Sequence, residues 1–141
     1  MNREILFRGK AINRDNGYFR SNYKNGDWVY GLVTRLYDER FERLPAEMTD
    51  INSIGSIEVD YKTIGQYIGV TDKNGTRIFD RDIVKDEQSG YEYLIKWFTE
   101  YACYGLANKS GHMEFSADKL EIFLNDLVVI GNIYDKENWQ W

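Results

Sequence analysis

Along most of the chain apolar and polar positions alternate with a period of two, the pattern of strands that bury one face. Ile5 and Phe7 share one side of a predicted strand over residues 3–8. A β-branched and aromatic run over 28–36 predicts a second, and Ile57, Val59 and Tyr61 mark a third. A strand through Tyr67 and Ile68, a polar turn at Asp72-Lys73-Asn74-Gly75 and a returning strand through Ile78 and Phe79 form the clearest hairpin. Asn-Gly suits such a turn because both residues tolerate positive φ. Asp72 has a structural role there, since its carboxylate reaches the backbone N–H groups of its own turn. Further strands follow at 82–85, 91–98, 101–107, 112–115 and 126–134. Tyr91, Tyr93, Ile95 and Trp97 share one face of the longest of these, and a bulge or bend is expected at Gly131. Asn16-Gly17 predicts one more short hairpin, early in the chain.

The period changes in three places. Over 116–124, Ser116 suits an N-cap, and Leu120, Phe123 and Leu124 form a stripe at helical spacing. Residues 135–141 read as a final helical turn anchored by Trp139 and Trp141. Over 37–56, Phe41, Leu44, Met48 and Ile51 recur at three, four and three, but Pro45 interrupts them. That segment reads as an irregular surface arm with at most one helical turn, or as an arm that docks a partner. Many short strands with tight turns predict a mainly β, β-rich α+β protein. The expected form is a small SH3-like barrel or curled antiparallel sheet, with one or two short helices and an N-terminal β extension. One domain over 1–141 is expected, with 1–62 as the extension carrying the arm at about 37–56, and 63–141 as the barrel-like core.

Composition sharpens this picture. Aromatic content of 16%, led by eleven Tyr, fits pleated half-buried surfaces. No run approaches the roughly 18 apolar residues of a membrane span, and the charged start MNREILFRGK lacks a secretory apolar core. The single cysteine, Cys103, fits a reducing compartment, so a bacterial cytoplasm is the expected location. The net charge of −5 argues against a broad nucleic-acid-binding field, yet residues 1–36 carry seven Lys/Arg against three Asp/Glu. Residues 37–60 carry two against seven, and 61–141 nine against thirteen. The basic and aromatic first quarter, with Arg3, Arg8, Lys10, Arg20 and Lys24 among Tyr, Phe and Trp, is therefore the candidate nucleic-acid patch. The plainer reading of it is a solvated charged face over a β core.

Other candidate chemistry is sparse. One histidine, His112, and one cysteine fall short of a structural zinc site's ligand set. Asp80 and Asp82, on one face of a regular strand, invite a metal-dependent enzyme, but Arg81 and Lys85 stand ready to pair them. Phosphate loops and nucleophile elbows are missing from the sequence. Gly65 and Gly69 around Gln66-Tyr67 are explained by a bulge or close backbone approach. Gln66, Asn132 and Tyr134 are polar groups in apolar strands; they either bond within the core or line a groove.

Three segments together resemble the YopX family of phage and prophage proteins. Residues 3–8, Arg-Glu-Ile-Leu-Phe-Arg, resemble its opening R-x-I-x-F-R. Residues 63–85, TIGQYIGVTDKNGTRIFDRDIVK, resemble its T-[IV]-G-Q-Y-T-G-L-x-D-K-N-G-x-x-I-[YF]-x-G-D-I-V core. Residues 130–134, Ile-Gly-Asn-Ile-Tyr, resemble its closing I-G-N-I-Y. Ile68 stands where that pattern has Thr, and Arg81 where it has Gly, which puts a positive-φ turn before Asp82 in question. The resemblance implies phage or prophage origin and a mainly β fold, and it brings no catalytic residue set.

The sequence thus points to a non-enzymatic binding module acting on another protein or on itself as an oligomer, without cofactor or metal. Its candidate binding residues are Gln66, Tyr67, Asp82, Trp97, Asn132 and Tyr134. The alternatives are a nucleic-acid accessory module built on the first quarter and, less favoured, the metal-dependent enzyme.

Overall fold

The computed structural model describes residues 4–13, 23–36, 46–50, 55–116 and 125–135. The hairpin expected at Asn16-Gly17, the helix expected beyond Ser116, the final turn and much of the arm lie outside these residues. The described chain is mainly β, as its alternation predicts. In order come β1 (Phe7–Ala11), β2 (Trp28–Arg35), β3 (Ala46–Asp50), β4 (Ile57–Thr71), β5 (Arg77–Phe79) and β6 (Asp82–Asp86). Then follow β7 (Glu92–Phe98), a 3-10 turn (Thr99–Tyr101), β8 (Cys103–Ala107), β9 (Met113–Ser116) and β10 (Leu127–Asn132). The strands fall into two compact units, Met1–Gln66 and Tyr67–Trp141, and the division lies within β4.

In the first unit β1 pairs with β2, β2 with β3, β3 with β4, and β4 again with β1, all antiparallel. Among the described residues, each of the four strands thus has a partner on both sides. Inward positions gather Ala11, Val29, Ala46, Met48, Ile57 and Val59 into a core, and Met48 and Val29 are fully buried. Burial of side chains this size contributes about 1.5–3 kcal/mol each. The segment read as an irregular arm therefore contains a strand. Ala46 and Met48 alternate inward, Pro45 stands just before β3, and the helical spacing of Met48 with Phe41, Leu44 and Ile51 misleads. The ring also lies in the part of the chain read as an extension.

The second unit holds the β4–β5 hairpin and a five-stranded sheet in the order β10-β6-β7-β8-β9. Neighbouring residues on its central strands enter different cores. Val84, Ile95 and Leu106 join Ile68, Ile78 and Leu127, whereas Ile83, Leu94 and Ala107 join Phe98. Both faces are thus covered, which explains the doublets Ile83-Val84, Leu94-Ile95 and Leu106-Ala107. In β7 the face shared by Tyr93, Ile95 and Trp97 buries Ile95 and leaves Trp97 exposed, while Leu94 and Phe98 are buried on the other face; Tyr91, just before the strand, is exposed. The register of β10 against β6 shifts between Val129 and Gly131, the bulge expected from Gly131.

Candidate binding surface

Apart from Gln66, the sequence-derived polar candidates lie in the second unit, where the backbone uses Asp82 and Asn132. Asp82, 1% exposed, accepts the Phe79 N–H at 2.7 Å and so closes the turn between β5 and β6. Its cross-strand partner is Asn132, also buried. Asn132 Oδ1 accepts the N–H groups of Tyr134 and Asp135, both at 2.9 Å, and its Nδ2 donates to Asp135 Oδ2 at 2.8 Å. Tyr134 is half-buried within that turn. Tyr67 is buried too: its ring packs 5.8 Å from Phe79, and the Arg77 guanidinium lies 5.9 Å above it. The five residues Tyr67, Phe79, Asp82, Asn132 and Tyr134 form one continuous structural seam. Gln66, half-buried opposite Phe7, belongs to the first unit.

Asp80 and Asp82 do not share a strand face. Arg81 between them has φ +68, which breaks the extended chain, and Asp80 Oδ1 sits 3.7 Å from Arg81 Nε. Among the described residues no group of three His, Cys, Asp or Glu side chains is placed to hold a metal. Cys103 is half-buried on β8 opposite Phe98, and His112 is exposed in the β8–β9 turn. No helix among the described residues is long and apolar enough to cross a membrane.

Arg3 and Arg20 lie outside the described residues. Arg8 is 5% exposed and its guanidinium packs 4.5 Å from the Trp28 ring, where Lys10 Nζ also approaches to 5.2 Å. Register makes this meeting necessary, because Lys10 pairs with Trp28 and Arg8 with Tyr30 across β1 and β2. Lys24 is exposed, and its N–H donates to Asp27 Oδ2.

Trp97 behaves differently from the buried seam. Its ring meets Tyr104 edge-on at 5.1 Å, yet 46% of the residue stays exposed at the end of β7. Close by in the chain, Tyr101 is 65% exposed on the 3-10 turn. Both residues line an open groove of about 510 Å³, together with Lys96, Glu100, His112 and Met113. Ala102, at φ +51, fixes the turn that presents Tyr101, and its N–H donates to Thr99 O. The sequence pattern hides Tyr101 because it predicts a strand that begins there, whereas the residue ends the 3-10 turn before β8. The signal available was its position in the interruption between two apolar runs.

A family model described as YopX protein matches residues 10–138. The chain belongs to the YopX family. No curated protein matches it. In this YopX protein the Ile68 that replaces the pattern's Thr is buried in the core of the second unit. Arg81 keeps the positive φ that the pattern's Gly would supply without strain.

Proposed function

We propose that this YopX protein is a non-catalytic module of phage origin that works in a bacterial cytoplasm by binding another protein, with a second copy of itself the first partner to test. The exposure of Trp97 beside Tyr101 carries this reading. Large aromatic side chains are the usual anchors of protein interfaces, and here they sit in an open groove rimmed by Lys96 and Glu100, charges of both signs. The other polar candidates support it by elimination, since Asp72, Asp82 and Asn132 spend their oxygens on backbone N–H groups. Arg8, buried against Trp28, is poorly placed to meet phosphates, which weighs against the nucleic-acid reading.

The test is sedimentation velocity over a wide concentration range, with a tagged capture from host lysate. A defined oligomer or a stoichiometric host complex, lost in the Trp97→Ala, Tyr101→Ala double variant, is expected. A monomer at every concentration that forms no such complex overturns the reading. Salt-dependent retention of DNA or RNA in a filter-binding titration would move it to nucleic acid.

A further inference from the structure

We infer that the groove between the β6–β7 and β8–β9 turns binds a neutral oligosaccharide. This groove, about 700 Å³, is lined by Tyr91, Glu92 and Tyr93 on one side and by Asn108, Lys109, Ser110 and Glu114 on the other. Its volume falls within the roughly 300–1,000 Å³ usual for ligand sites.

Both walls are pre-formed. Asp86 accepts the Gln88 N–H at 2.9 Å and the Ser89 hydroxyl at 3.0 Å, and its carbonyl accepts the Gly90 N–H at 2.7 Å. Asn108 Oδ1 accepts the N–H groups of Ser110 and His112, at 2.9 and 3.1 Å, and its carbonyl accepts that of Gly111. These backbone donors are consumed inside the turns. The side chains of the groove add their own hydrogen-bonding groups.

The side chains select the ligand class. Tyr91, 68% exposed, offers an aromatic platform, while Glu114 accepts and Lys109 and Ser110 donate. Asn108 Nδ2 donates to Glu114 Oε1 at 2.7 Å, which fixes that carboxylate and leaves its second oxygen for a ligand hydroxyl. Burial, then the carboxylates of Asp86 and Glu114, raise the Tyr93 pKa, so its hydroxyl remains a donor. The carboxylates of Glu114 and Asp86, both close enough to act on Tyr93, oppose a phosphate or sulfate. A pyranose has an apolar C–H face for the tyrosine ring and hydroxyls that both donate and accept, which matches this mixed set. The openness of the groove favours a chain of sugars over a single enclosed one.

The experiment titrates isotope-labelled protein with chitohexaose, maltohexaose and cellohexaose and follows backbone amide shifts. At least one should bind, with shifts confined to residues 90–93 and 108–114. Tyr91→Ala should weaken it about tenfold, the loss of one stacking contact and its burial, without lowering the melting temperature. Glu114→Gln should weaken it several-fold. Silence from all three sugars overturns the inference, as do shifts that map elsewhere or a Tyr91→Ala variant of full affinity.

Discussion

Val129 donates its backbone N–H to Asp72 Oδ2 at 2.9 Å, across 57 positions of sequence. The same carboxylate, 5% exposed, accepts the N–H groups of Asn74 and Thr76 through Oδ1, both at 2.9 Å. Lys73 N–H adds a bond to Leu127 O at 3.2 Å, so the β4–β5 turn seals the outer edge of β10. Asp72→Ala strands three backbone donors. Each lost bond to a charged acceptor is worth about 1.5–3 kcal/mol, so the variant should lose at least about 3 kcal/mol in urea unfolding. Asp72→Asn keeps one acceptor oxygen and should fall between the two.

Arg81 should be more stable as glycine. Its φ of +68 costs a non-glycine residue roughly 1–2 kcal/mol, and its backbone is pinned there: the N–H donates to Ile95 O and the carbonyl accepts the Ile133 N–H. The extra chain entropy of glycine in the unfolded state offsets part of the gain. The Asp80 contact, 3.7 Å and half-exposed, adds little. Arg81→Gly is expected to gain about 0.5–1 kcal/mol, read as a raised melting temperature; a loss would show that the side chain itself holds the turn.

These two sites mark what the sequence discloses and what it hides. The Asp72 turn is legible because its partners at Asn74 and Thr76 are local, and the Gly131 bulge because it breaks a period. Residues 46–50 were hidden as β3 because a strand five residues long is defined by β2 and β4, not by its own composition. Ring closure of β1 on β4, with Phe7 opposite Gln66, is likewise a non-local fact. Asn132 stands out in the sequence as a polar residue in an apolar strand, and Asp82 as a candidate metal or groove carboxylate. That signal alone does not separate a groove from a core, and only their cross-strand pairing reveals the structural role. Trp97 shares the face of Ile95, as the alternation predicts, but it lies at the strand end where the core runs out.

Gly31 should be irreplaceable in the ring. A Cβ there would lie 1.9 Å from Thr49 O and 3.2 Å from Asp50 Cα, backbone atoms that cannot swing away. Gly31→Ala is expected to cost about 3 kcal/mol or more, or to open the β2–β3 pairing. Gly75 is the control. Its φ is +80 with nothing within 4 Å of a built Cβ, so Gly75→Ala meets only the left-handed penalty of about 1–2 kcal/mol. Chemical denaturation of the two variants should separate them clearly.

The Tyr23 hydroxyl donates to Asp50 Oδ2, tying the chain before β2 to the end of β3. Burial, then this bond and the Asp50 charge, push the Tyr23 pKa up to about 12 from its ordinary 10. The sign follows from proton binding. Between about pH 10 and 12 the unfolded chain has released the proton while the folded chain keeps it, so the tie is intact below pH 10 and its contribution falls as pH rises through that window. Unfolding followed from pH 9 to 12 should show this loss on top of the general alkaline decline. In Tyr23→Phe the extra slope should vanish, and the variant should be less stable than the parent at pH 8 because Asp50 loses a donor. Equal slopes in both proteins would mean that the Tyr23–Asp50 bond makes no contribution to folding.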